Sequence, residues 1–161
     1  MMDRARADGM KVYAEFATLN GQNYVEEHPE AWAINDKHIN ELKPGTMLGL
    51  YHCPRADDEF DGARRRILGL DYDLLREPID VFSPMVYHAH MGRGQQWVAE
   101  NIEWFCRRVN IRRGQFPKVW PIVQAYNSPY TISPEEFETV LRGGMAAKSS
   151  EVMMFTTRAI A

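Results

Sequence analysis

The strongest constraint in this 161-residue chain is the recurrence of short apolar segments, rich in β-branched residues, at a nearly fixed interval. Five segments read as buried strands: Lys11 to Ala17, Thr46 to Cys53, Ile79 to Ala89, Lys118 to Tyr126 and Glu151 to Thr157. Landmark apolar residues within them, Val12, Met47, Val81, Val119 and Val152, lie 35, 34, 38 and 33 positions apart. That interval leaves room for a helix between strands, and a helical crossover joins parallel neighbours. The chain is therefore expected to form a mainly parallel α/β sheet.

Helical patterning fills the gaps. Between the third and fourth strands, Val98, Ile102, Phe105 and Val109 lay one apolar stripe along a helix from about Gln95 to Asn110. Between the fourth and fifth, Ser133-Pro134-Glu135-Glu136 is a capping box with proline at the first helical position. Between the second and third, Ile67, Asp71, Leu74 and Leu75 mark a helix that Pro78 ends. In the first gap, Pro29 to Lys43 has the weakest pattern, through Ile34, His38 and Leu42. No linker divides the chain, and residues 1–161 read as one domain.

Composition narrows the function. Hydrophobic residues make up 45% of the chain, enough for one core, and the formal net charge of −3 gives no broad basic face for nucleic acid. The one basic cluster is Arg64-Arg65-Arg66. No apolar run reaches the roughly 20 residues that cross a bilayer, and no signal core follows the polar N-terminus. Cys53 and Cys106 lack the spacing of a metal site and read as free thiols, which leaves the compartment unassigned. The glycine loop that cradles a nucleotide phosphate is missing after the first strand, where Ala17-Thr18-Leu19-Asn20-Gly21 stands, and no cofactor is expected.

Chemistry is expected where the third strand ends, because ligands of α/β folds collect at the carboxyl ends of parallel strands. Tyr87, His88 and His90 fall there. Glu15 shares a strand face with Tyr13 and Ala17, a face that would point into a barrel, where desolvation suits a carboxyl to general acid work. Glycoside hydrolysis needs a second carboxylate, and Asp57, in the run Asp57-Asp58-Glu59, is the candidate. His88-Ala89-His90 with His52 would suit a metal-dependent hydrolase as an alternative. Arg93 lies in the loop that follows and Trp97 just after it, placed to meet a ligand, whereas Trp104 reads as core or helix surface.

Three stretches together resemble the last three strands of glycoside hydrolase-like (β/α)8 barrels, a group distantly similar to chitinase-like enzymes. They are Asp80-Val81-Phe82-Ser83-Pro84-Met85-Val86-Tyr87-His88, Val119-Trp120-Pro121-Ile122-Val123-Gln124-Ala125 and Glu151-Val152-Met153-Met154-Phe155-Thr156. Tyr13-Ala14-Glu15-Phe16 and His28-Pro29-Glu30-Ala31-Trp32 resemble an earlier strand and its loop. The resemblance implies that Tyr87 faces the sugar and that Gln124 lines the same cleft, with His52, His88 and Tyr126 beside them.

The family's acid-bearing fourth strand has no counterpart between Asn35 and Gly45. The expectation is thus an incomplete TIM-type barrel of about five parallel strands, with an open doubly wound sheet as the alternative, since a full barrel takes about 250 residues. Carbohydrate is the expected partner, with nucleic acid and membrane excluded. Open sheet edges would favour a homo-oligomer.

Overall fold

A computed structural model describes residues 47–111, 116–146 and 148–155. The expected first strand, the Pro29–Lys43 helix and Glu15 lie outside the described residues.

The described chain is an α/β unit. Its elements run β1 (Gly49–His52), α1 (Ala63–Arg66), α2 (Tyr72–Leu75), β2 (Val81–Val86), α3 (Gln96–Arg108), β3 (Lys118–Val119), β4 (Ile122–Gln124), α4 (Pro134–Gly144) and β5 (Met153–Phe155). The five strands form one parallel sheet, with β2 between β1 and β3/β4, and β5 beyond β4. Among the described residues the strands neighbour one another in chain order, an arrangement that fits both an incomplete barrel wall and an open sheet.

β3 and β4 are one strand interrupted. Val81 pairs with Lys118 and Met85 with Ile122, so the offset stays at 37 residues across the gap. That register sets Pro84 against Pro121. Neither proline has an N–H to give, and the ladder lapses there without slipping.

Strand alternation sorts the side chains. Phe82 and Val86, with Val119 and Val123 beside them, meet Val98, Ile102 and Phe105 of α3 and Val140 of α4 in one apolar cluster. Its densest part is aromatic: Phe105 lies 5.4 Å from Phe82 and 5.0 Å from Tyr72, both edge to face. The other face is covered as well, since Val81, Ser83, Trp120, Ile122 and Gln124 are all buried. Burial on both faces is what a parallel strand's continuous apolar run requires.

Two local expectations hold in detail. The α3 stripe buries Val98, Ile102 and Phe105, with Val109 buried just beyond the helix, and the Ser133 hydroxyl accepts from the Glu136 N–H at the start of α4. The helix read through Ile67, Asp71, Leu74 and Leu75 is a correction. Two single turns stand there instead, parted by Gly69 at φ 65°, and the buried residues are Leu70 and Tyr72. Ile67 and Leu74, 67% and 73% exposed, face away from the core.

α4 ends hard against the sheet. A Cβ on Gly144 would stand 2.8 Å from Val152 Cγ2 and 3.0 Å from Val123 Cγ1. Glycine-to-alanine exchange in a helix gains up to about 1 kcal/mol of propensity, and overpacking a filled site costs about 1–3 kcal/mol. Both clashing partners are β-branched and stiff, so the second effect is expected to win. Gly144→Ala should lower the urea midpoint; a midpoint that rises would mean that α4 shifts freely on the sheet.

Candidate functional site

The carboxyl ends of β2, β4 and β5 come together around one side chain, Gln124. It is wholly buried, its Oε1 accepts from the His90 N–H at 3.0 Å, and its Nε2 donates to the carbonyls of Tyr126 at 2.9 Å and Ser128 at 2.6 Å. One amide thereby ties the loop after β2 to the loop after β4. Both donors and the acceptor of the amide are used, which no other uncharged side chain of this size supplies.

Above that tie the strand ends carry rings. Tyr87 stacks on Phe155 with centroids 5.6 Å apart and planes at 22°. Tyr126 meets Tyr87 at 5.9 Å and Phe155 at 6.0 Å, both edge to face, and the His90 ring lies 6.3 Å from Tyr126. Phe155 is 51% exposed, His90 is exposed, and Tyr87 and Tyr126 are half-buried. Partial burial pushes the Tyr126 phenol up, so it stays protonated and able to donate at neutral pH.

His88 turns to the helix side. Residues 88–91 form a turn in which the His88 carbonyl accepts from the Arg93 N–H at 2.8 Å, so the two histidines of His88-Ala89-His90 do not share one side of an extended chain. His88, fully buried, donates from Nε2 to Glu136 Oε1 at 2.8 Å, and Tyr130 OH donates to the same oxygen at 2.8 Å. Burial works to raise the Glu136 pKa, but the hydrogen bonds from His88 and Tyr130 outweigh it and hold the carboxyl below its usual range. His88 Nδ1 is buried without a partner. Sequence spacing carried no sign of this pair, because 48 positions separate its members.

The remaining candidates are dispersed. His52 lies in the core between Tyr72, Phe82 and Phe105, only 2% exposed, because alternation along β1 turns it to the helix side. Asp57 is shared by Arg64 and Arg108. Glu59 pairs with Arg55 at 2.6 Å and Arg93 at 2.9 Å, and these hydrogen bonds offset its burial to keep its pKa low. Asp58 is exposed. Arg93 lies 5.9 Å from the half-buried Trp97 ring, while Trp120 is buried and donates to Ser150 Oγ at 3.0 Å. Among the described residues no group of three or more histidine, cysteine or acidic side chains is arranged to hold a metal ion. The sequence matches no protein-family model and no curated protein, and no solved structure matches it.

His52 supplies a test of this layout. Tyr72 OH and the Cys53 carbonyl both lie within reach of its Nδ1, at 2.9 and 3.2 Å, and Nε2 has no partner. Burial, aided by the Arg64 charge and opposed by the Cys53 carbonyl, lowers its pKa from 6.5 to about 4. The unfolded chain therefore takes up a proton at higher pH than the folded one, and stability falls as pH drops from 6.5 towards 4. The full loss is roughly 3 kcal/mol at about 1.4 kcal/mol per pKa unit. Urea midpoints should decline over this window in the native sequence and decline less in His52→Phe; equal slopes would refute the burial of a neutral imidazole.

Proposed function

We propose that this domain recognises carbohydrate at the carboxyl end of its parallel sheet, as a relative of glycoside hydrolase-like barrels. The observation that carries the reading is the cluster of Tyr87, Tyr126 and Phe155 with His90 at its edge. A pyranose offers an apolar face ringed by hydroxyls. Aromatic faces match the first, and phenol and imidazole groups at the rim match the second. The loops bearing Tyr126 and His90 are fixed by Gln124, so little ordering remains to oppose binding.

Binding is favoured over turnover. Hydrolysis of an O-glycosyl bond calls for two carboxyl groups on either side of the bond, one able to protonate the leaving oxygen. Of the described acids, Asp57 and Glu59 are committed to arginines, and Glu136 is committed to His88 and Tyr130. An acid role would fall to Glu15, which lies outside the described residues.

Calorimetric titration with chito- and cello-oligosaccharides tests the reading. Saturable binding is expected, weakened by about tenfold in Tyr126→Ala, a loss of about 1.4 kcal/mol for the apolar contact and phenol removed together. Leu74→Ala, an exposed change elsewhere, should leave it intact. Absence of binding to every oligosaccharide, or full affinity in Tyr126→Ala, would overturn the proposal. Chelator-insensitive hydrolysis of aryl glycosides, lost in Glu15→Gln, would restore the enzyme.

A further inference from the structure

The run Arg64-Arg65-Arg66 stands apart in the sequence, and the carbohydrate reading makes no use of it. With Arg108 at the end of α3, Asp57 and Asp71, these arginines line a cavity of about 540 Å³ beside α1. Within the lining, four guanidiniums stand against two carboxylates.

The pairing is uneven. Arg108 holds Asp57 at 2.5 Å and takes Asp73 in a two-pronged contact at 2.8 and 2.9 Å. Arg64, with 3% of its side chain exposed, gives one terminal nitrogen to Asp57 and the other to the Leu70 carbonyl, and its Nε is buried without a partner. Arg65 meets Asp71 at 2.8 Å with 74% of its side chain exposed. Arg66 is the loosest: its carboxylate, Asp61, is 3.8 Å away and 98% exposed, so water screens most of the attraction. Each guanidinium has five N–H donors. Donors thus outnumber the acceptors that engage them, and the surplus lies on Arg65 and Arg66 at the open side.

We propose that this cavity binds the phosphate group of a small polyhydroxylated phosphate ester. Guanidinium forks match pairs of phosphate oxygens; Arg66 can turn to an anion from a partner that is 98% exposed, and Arg65 has further N–H groups to offer while it keeps Asp71. Asp57 and Asp71 accept from hydroxyls on the rest of the ligand. The volume falls in the range of small-molecule sites and exceeds what a bare phosphate fills. The site shares no residue with the aromatic cluster, so the two readings stand or fall separately.

The test is calorimetry at constant ionic strength with a hexose 6-phosphate, inorganic phosphate and the unphosphorylated hexose. The ester should saturate, inorganic phosphate should compete more weakly, and the plain hexose should leave the site empty. Arg65→Ala and Arg66→Ala, both at exposed side chains, should each weaken the ester by about tenfold, the scale of one lost charge-assisted hydrogen bond. Arg107→Ala removes a guanidinium that is 66% exposed and pairs with Glu103 on the surface of α3; it should change nothing. No saturation by the ester, undiminished binding in both cavity variants, or equal loss in Arg107→Ala would overturn the proposal. Inorganic phosphate binding as tightly as the ester would overturn its sugar part.

Discussion

A parallel strand buried on both faces has no tolerance for an unpaired backbone group, and β2 is that strand here. Its flanks are taken by β1 and by β3/β4, and its side chains are buried on both faces, Phe82 and Val86 on one side and Val81 and Ser83 on the other. Within β2 the one buried polar side chain is the small Ser83, and the larger buried polar groups of the sheet lie where strands stop. His52, His88 and Gln124 all sit at or just past carboxyl termini of strands, each buried and each spent on loop backbone or another side chain. The same constraint explains Pro84 and Pro121. Set opposite each other, they withdraw donors from a ladder whose register the flanking apolar pairs already hold.

Alternation then divides the strand ends into two chemistries. Tyr87, Gln124 and Phe155 share the parity of one face, His52 and His88 that of the other. The first set forms the aromatic end, with Tyr87 and Phe155 partly exposed above the buried Gln124. The second set is turned towards helices, where an imidazole must be neutral, as His52 is, or tied to a carboxylate, as His88 is to Glu136. Adjacent residues in sequence, Tyr87 and His88, thus belong to different environments. A motif read linearly, such as Met-x-Tyr-His, joins side chains that the sheet separates.

What could be read from the sequence was what depends on local spacing. The apolar runs of the later four strands, the α3 stripe and the Ser133 cap rest on patterns within a few residues, and the described fold obeys them. The failure at Ile67 and Leu74 has a physical cause. Gly69 takes a left-handed backbone that breaks the helix, so a spacing of 3.6 residues no longer defines one face, and Tyr72 wins the core through its contact with Phe105. Long-range pairs left no trace. Arg108 and Asp57 are 51 positions apart, and His88 and Glu136 are 48 apart, distances at which composition and pattern carry no information about partners.

The acidic run shows how partner choice changes chemistry without changing residue type. Asp57, Asp58 and Glu59 look alike as a string. In the fold Asp57 sits between two guanidiniums, Glu59 bridges the loop after β1 to Arg93 in the loop after β2, and Asp58 is left to solvent. Asp57 has both carboxyl oxygens engaged by arginines, one by Arg64 and one by Arg108, which leaves neither placed to meet a glycosidic oxygen. Glu59 instead ties two loops at the carboxyl end of the sheet through a partly exposed pair, worth at most about 1 kcal/mol in isolation. That weak tie and the buried Gln124 amide act on the same loop, one from the β1 side and one from the β4 side. Releasing the buried amide would strand its partners, so it is the stronger of the two ties, and the exposed Arg93–Glu59 pair next to Trp97 is the weaker.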